Sequence, residues 1–90
     1  MHERSLMTGL LRQVLAVAEQ QGARRVCSVS VRLGALSHFT PEHFAEHFVD
    51  VARGTPAEGA VLQATLCDDA ADEHALDVLI ESVEVEVEES

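Results

Sequence analysis

Residues 26–36 read VCSVSVRLGAL. Cys27, Val29, Val31 and Leu33 fall on one side of an extended chain, and Ser28, Ser30 and Arg32 fall on the other, because side chains of a strand alternate between its faces. One side is apolar and one is polar, the mark of a half-buried strand lying on a core. Such a strand needs a layer over its apolar face, and the flanking sequence supplies two candidates.

Upstream, Leu6, Met7, Leu10, Leu11, Val14, Leu15, Val17 and Ala18 recur at helical spacing, with Arg4, Arg12, Gln13, Glu19 and Gln20 opposite. Gly22 supplies the stop. Downstream, FTPEH at 39–43 announces a second helix. Thr40 can cap it, Pro41 suits the first helical position, and Glu42 suits the positive end of the dipole. Its apolar stripe is Phe44, Ala45, Phe48, Val51 and Ala52, and RGTPAEG at 53–59 ends it.

Two further strands are expected at 60–66 and 76–87. The last alternates strongly, but Val78 and Ile80 are even-numbered while Val83 and Val85 are odd. A bulge near Glu81 and Ser82 reconciles the two phases. The order helix–strand–helix–strand–strand implies an α+β domain, with two helices packed on one face of a three-stranded mixed sheet. The helix between the first two strands favours a parallel crossover, and the short link between the last two favours an antiparallel hairpin. Leu10, Val14, Phe44 and Phe48 are the expected core.

A chain of 90 residues reads as a single domain over 1–90, burying roughly 60% of the surface its unfolded form exposes. With three phenylalanines and no other aromatic, the core must be mostly Val, Leu and Ala. The net charge is −10, and the six basic residues are dispersed arginines, which argues against a nucleic-acid face or an anionic membrane surface. Cys27 and Cys67 are too few and too separated for a disulfide framework and read as reduced thiols. No apolar stretch is long enough to span a bilayer, and Glu3, Arg4 and Arg12 interrupt the N-terminal apolar region where a signal peptide would lie. The expected location is the cytoplasm.

Three stretches bear potential metal ligands. HFAEH at 43–47 spells the H-x-x-E-H signature of inverted zinc peptidases. His43, Glu46, His47 and Asp50 share a stripe opposite the phenylalanines, however, and so read as a solvated polar face rather than a cleft. CDDAADEH at 67–74 offers Cys67, Asp68, Asp69, Asp72, Glu73 and His74 with a spacing that matches no established metal loop, and reads as an acidic turn. Neither a phosphate loop nor a nucleophile–base arrangement is present, so no enzyme is expected. The third stretch is MHE. A free amine, the following amide nitrogens and the His2 imidazole can close small chelate rings around one ion, a nitrogen-rich, flattened set that favours Ni(II) or Cu(II). The same residues also read as an ordinary helix start, Glu3 suiting the dipole.

Taken together, MHERSL at 1–6, GARRV, SV and VRLGALS within 22–37, PEHF, EHF and ARGTPAEGA within 41–60, and IESVEVE at 80–86 resemble the HypA/HybF family, the nickel metallochaperones of [NiFe]-hydrogenase maturation. The likeness covers nearly all of 1–66 and 78–88. It implies a nickel site on Met1, His2 and Glu3, and delivery of Ni(II) to the hydrogenase large-subunit precursor in concert with a HypB-type GTPase. One departure is large. The family normally carries a zinc module with two C-x-x-C pairs between the last two strands, where this chain has LCDDAADEHAL at 66–76 with one cysteine. Four thiolates cannot be assembled, so no zinc is expected, and a short acidic turn at 67–75 stands in the module's place. The alternative function is a non-catalytic adaptor that keeps the fold and not metal delivery. The last strand offers an edge to a second copy, leaving monomer and homodimer both open.

Overall fold

The central strand of the sheet is β1 (Ala23–Leu33), flanked by β2 (Val61–Leu66) on one side and β3 (Val78–Val87) on the other. The computed structural model describes residues 2–37, 39–67, 69, 71, 73 and 77–87, with the side chains of residues 2–4 outside that description. Leu76, the expected start of the last strand, lies outside the described residues. Two helices complete the fold, α1 (His2–Gln20) and α2 (Pro41–Ala52). The architecture is α+β, as the sequence pattern requires.

Strand β1 is central because its composition demands partners on every side. Val26, Val29, Val31 and Leu33 are buried to within 2% of complete. They share one core with Met7, Leu10, Leu11, Val14 and Ala18 of α1 and with Phe44, Phe48 and Ala52 of α2. The two helices touch each other as well as the sheet. Leu10, Val14, Phe44 and Phe48 thus occupy the core expected of them.

The strand alternation differs from the simple reading at one end. Val26 is buried and Cys27 only half-buried. Against β3, Val26 pairs with Val85 and Ser28 with Glu84, so Cys27 is an extra residue on β1. This bulge turns Val26 inward in place of Cys27. A second irregularity falls where the phase of β3 shifts. Val31 pairs with Ile80 and Ser30 with Ser82, leaving Glu81 as the additional residue. Val78, Ile80, Val83 and Val85 all pack against the core as a result.

The expected hairpin between the last two strands is not formed. Strand β2 runs parallel to β1, but β3 pairs antiparallel with β1 rather than with β2. Hairpin loops run to two to five residues, whereas the segment 67–77 is long enough to pass the end of one strand, a step of roughly 10 Å. Both ends of that crossing are pinned. Cys67 donates its N–H to the Leu33 carbonyl at 2.8 Å, and Gly34 donates to the Asp77 carbonyl at 2.9 Å. The crossing leaves the most buried strand in the middle and two half-buried strands as edges.

The GTPAEGA segment ties α2 back to β1. Gly54, at φ 78°, makes the turn that a residue with a Cβ would resist. The Thr55 hydroxyl donates to the Ala52 carbonyl at 2.6 Å and accepts from the Ala57 N–H at 3.1 Å. Pro56 then offers its carbonyl to the Val26 N–H at 2.9 Å. Ala57, fully buried, fits where a larger side chain would not.

Phe48 has no solvent exposure. Truncation to Phe48→Ala should therefore cost about 3–5 kcal/mol, read as a lower urea midpoint at constant slope. A loss below about 1 kcal/mol would place that ring outside the core.

Candidate metal centre

The N-terminal candidate sits at the first turn of α1. The helix is anchored from Met7 onward by its buried face, and Ser5 and Leu6 just before it are exposed. Its backbone is helical from His2, and the first four N–H groups of a helix have no intrahelical acceptor. The amide nitrogens of His2 and Glu3 are therefore not committed to the helix ladder. Met1 lies outside the described residues, as do the side chains of His2 and Glu3. A shallow groove runs beside the next turn between α1 and β3, lined by Leu6, Gly9, Leu10, Gln13 and Val78. Gln13 is its one polar side chain, so it adds no strong metal ligand.

The second candidate lies on α2. Thr40 adopts extended backbone and accepts the His43 N–H at 3.3 Å, with Pro41 at the start and Glu42 in the first turn. This cap marks the helix start, and the burial of Phe44 and Phe48 sets the face that turns inward. His43, Glu46 and Asp50 consequently face solvent, and His47 is half-buried. The two imidazoles approach to 4.3 Å between ring centres at an angle of 42°. Asp50 is drawn towards Arg53, with Oδ1 and Nη2 3.2 Å apart. Among the described residues no cluster of three or more His, Cys, Asp or Glu side chains is arranged to hold an ion. The peptidase signature thus lacks a third protein ligand among the described residues.

In the acidic stretch, Asp68, Asp72 and His74 lie outside the described residues. Asp69 accepts the Ala71 N–H at 3.0 Å in a local turn. Cys67 accepts a hydrogen bond from the Arg32 guanidinium at 3.2 Å. That contact escaped the sequence reading, although the parallel pairing of Arg32 with Thr65 makes it geometrically natural. Cys27 lies near the start of β1 and Cys67 just beyond the end of β2. The parallel register puts them at opposite ends of the pair, and both are free thiols.

These features define a small α+β domain with nitrogen donors at the start of one helix and on the open face of the other. The family model described as "Hydrogenase/urease nickel incorporation, metallochaperone, hypA" matches residues 1–72. The chain belongs to the HypA family. Over 66 residues it is 41% identical to the hydrogenase maturation factor HypA of Archaeoglobus fulgidus, covering 73% of this chain and 60% of that protein. HypA of Rhizobium leguminosarum is 41% identical over 63 residues, 70% of this chain and 56% of that one. The chain thus spans less than two thirds of the length of these relatives. In three dimensions it is similar to the solution structure of the Ni metallochaperone HypA from Helicobacter pylori, with a TM-score of 0.76 and 16% identity. That match covers 96% of this chain and 98% of the other, and shows a shared fold.

The Thr40 cap marks the start of α2. Thr40→Ala should lower stability by about 1 kcal/mol in urea unfolding. An unchanged midpoint would mean that the cap is dispensable.

Proposed function

We propose that this chain is a nickel carrier for the maturation of [NiFe]-hydrogenase, with Ni(II) as its cargo at the N-terminus. The observation that carries the reading is the family match over residues 1–72, which includes MHE at a helix start with uncommitted amides. The curated relatives cited above are hydrogenase maturation factors, which favours hydrogenase over urease as the destination. The proposed ligands are the His2 imidazole and main-chain nitrogens from Met1 to Glu3, with the Glu3 carboxylate beside them or as an added ligand. The recipient is the hydrogenase large-subunit precursor, and a HypB-type GTPase works alongside. The reading requires no catalysis by the chain itself, a single domain over 1–90, and a cytoplasmic setting.

The donor set fits the ion. Consecutive nitrogens, alternating with the imidazole, form a flattened array of the kind Ni(II) accepts. An amide loses its proton on binding, and at the first turn this breaks no helix hydrogen bond. Closing a ring through neighbouring nitrogens flattens ψ towards zero, so the first residue leaves helical geometry while the turns packed on the core keep theirs. An amine at Met1, where free, has an ordinary pKa of about 7.7–8.0 and must also be deprotonated.

Affinity for Ni(II) should consequently rise with pH, and binding should release protons in calorimetry carried out in buffers of different ionisation enthalpy. His2→Ala should weaken binding by about 10²-fold or more, and planar coordination should appear as a yellow, diamagnetic complex. Retention of native Ni(II) affinity by His2→Ala would remove the proposal. An N-terminally extended form tests the amine separately: lost binding assigns it as a ligand, and retained binding leaves the imidazole and amides as the site.

The same reading holds that no structural zinc is bound. The two cysteines stand at opposite ends of parallel strands, and the segment 67–77 carries one thiol. Elemental analysis of chelator-washed protein should find well under one zinc per chain. About one retained zinc would contradict the reading.

A further inference from the structure

We propose that α2 carries a second metal site, independent of the N-terminal one, in which His43 and His47 clasp a borderline divalent ion such as Cu(II), Ni(II) or Zn(II). The spacing is the first support. Residues four apart are neighbours on a helix face, with Cβ atoms about 5–6 Å apart. Here the ring centres are closer than that, at 4.3 Å with planes tilted by 42°, so the two imidazoles lie against each other along the helix face. A separation of this size is compatible with chelation by both rings. Two imidazole nitrogens held about 2.0–2.1 Å from one ion in adjacent positions bring their ring centres to roughly 4.5 Å. The observed pair lies close to that separation before any ion arrives.

The setting is the second support. His43 is exposed and His47 half-buried, so an ion can reach both from solvent. Exposed Glu42, Glu46 and Asp50 on the same helix, within a chain of net charge −10, raise the local concentration of cations. Imidazole selects Zn, Cu and Ni over the hard cations, with Cu(II) held tightest in the usual order. Two protein donors leave the remaining coordination positions to water or to another molecule's ligands. The site is therefore an exchanging one, neither a closed structural centre nor a peptidase centre.

Cu(II) is the probe, added to an N-terminally extended His2→Ala form so that neither the His2 imidazole nor the Met1 amine competes. Calorimetry should find one equivalent bound. The carbon-bound ring protons of His43 and His47 should broaden together at substoichiometric Cu(II), because one paramagnetic ion touches both rings. His43→Gln and His47→Gln should each weaken binding about a hundredfold, since losing one arm of a two-armed grip forfeits the chelate advantage. Cu(II) should also raise the Tm of the extended His2→Ala form, by bridging one turn of α2, and leave both single variants unshifted. Circular dichroism verifies that the glutamine variants are folded, and the broadening measurement needs neither of them. Broadening of one ring without the other, or native affinity in either single variant, overturns the proposal. Because every arm uses the extended His2→Ala protein, failure here leaves the N-terminal reading standing, and failure there leaves this one.

Discussion

Strand β1 has one face entirely closed off from water and both edges engaged, and every other element answers to one of those requirements. Val26, Val29, Val31 and Leu33 need a cover, which α1 and α2 provide together in a single core. Three small aliphatics and a leucine cannot fill the space between a sheet and two helices. The volume comes from Phe44 and Phe48 of α2 and Met7 of α1, the largest fully buried side chains. The polar requirements are met with similar economy. The Val26 N–H reaches Pro56, the Leu33 carbonyl receives Cys67, and Gly34 reaches Asp77. Two chain segments that are neither helix nor strand are thus fixed by backbone bonds to the ends of β1.

Those constraints explain which parts of the fold were legible in the sequence. Helical periodicity survives in α1 and α2 because each buries one stripe, and the Thr40–Pro41–Glu42 start carries its own capping chemistry. The bulge at Glu81 was readable because a phase change between Ile80 and Val83 has no other economical resolution. The bulge at Cys27 was hidden, since cysteine continues an alternating pattern as well as valine does. Pairing order was hidden too. Nothing within 60–66 or 76–87 states which edge of β1 each strand will take. The long link permits either answer, and the strand with the fully buried face, β1, takes the centre.

The candidate sites were legible to different depths. His2 and Glu3 stand out only through family likeness, because three residues at a helix start have an ordinary explanation of their own. His43 and His47 stand out through spacing, yet spacing alone does not reveal that the rings come to 4.3 Å of each other. Their face of α2 is turned outward by the two phenylalanines on the inner one. Arg32 and Cys67 meet only because β2 is parallel to β1, a relation that no local pattern records.

Donor type separates the two proposed sites in their electrostatics. The N-terminus of α1 carries the positive end of the dipole, equivalent to about half an elementary charge, and this opposes a bare dication. A chelate at that end is favourable only if the donors bring negative charge with them. Two ionised amides neutralise Ni(II) outright, and the Glu3 carboxylate, favoured at that end by the same dipole, offsets the rest. Proton loss is therefore intrinsic to binding there: without it, the helix repels its cargo. His43 lies in the first turn of α2 and His47 one turn further on, and both offer ring nitrogens with no amide proton to lose. Their ion keeps its positive charge, which Glu42, Glu46 and Asp50 offset through solvent. As proposed, the first site gives up amide protons on binding, so its coupling of metal to protons exceeds that of a site built from imidazoles alone. Under the proposed N-terminal coordination, a rise in acidity releases the ion by restoring the same N–H groups that made the helix end available.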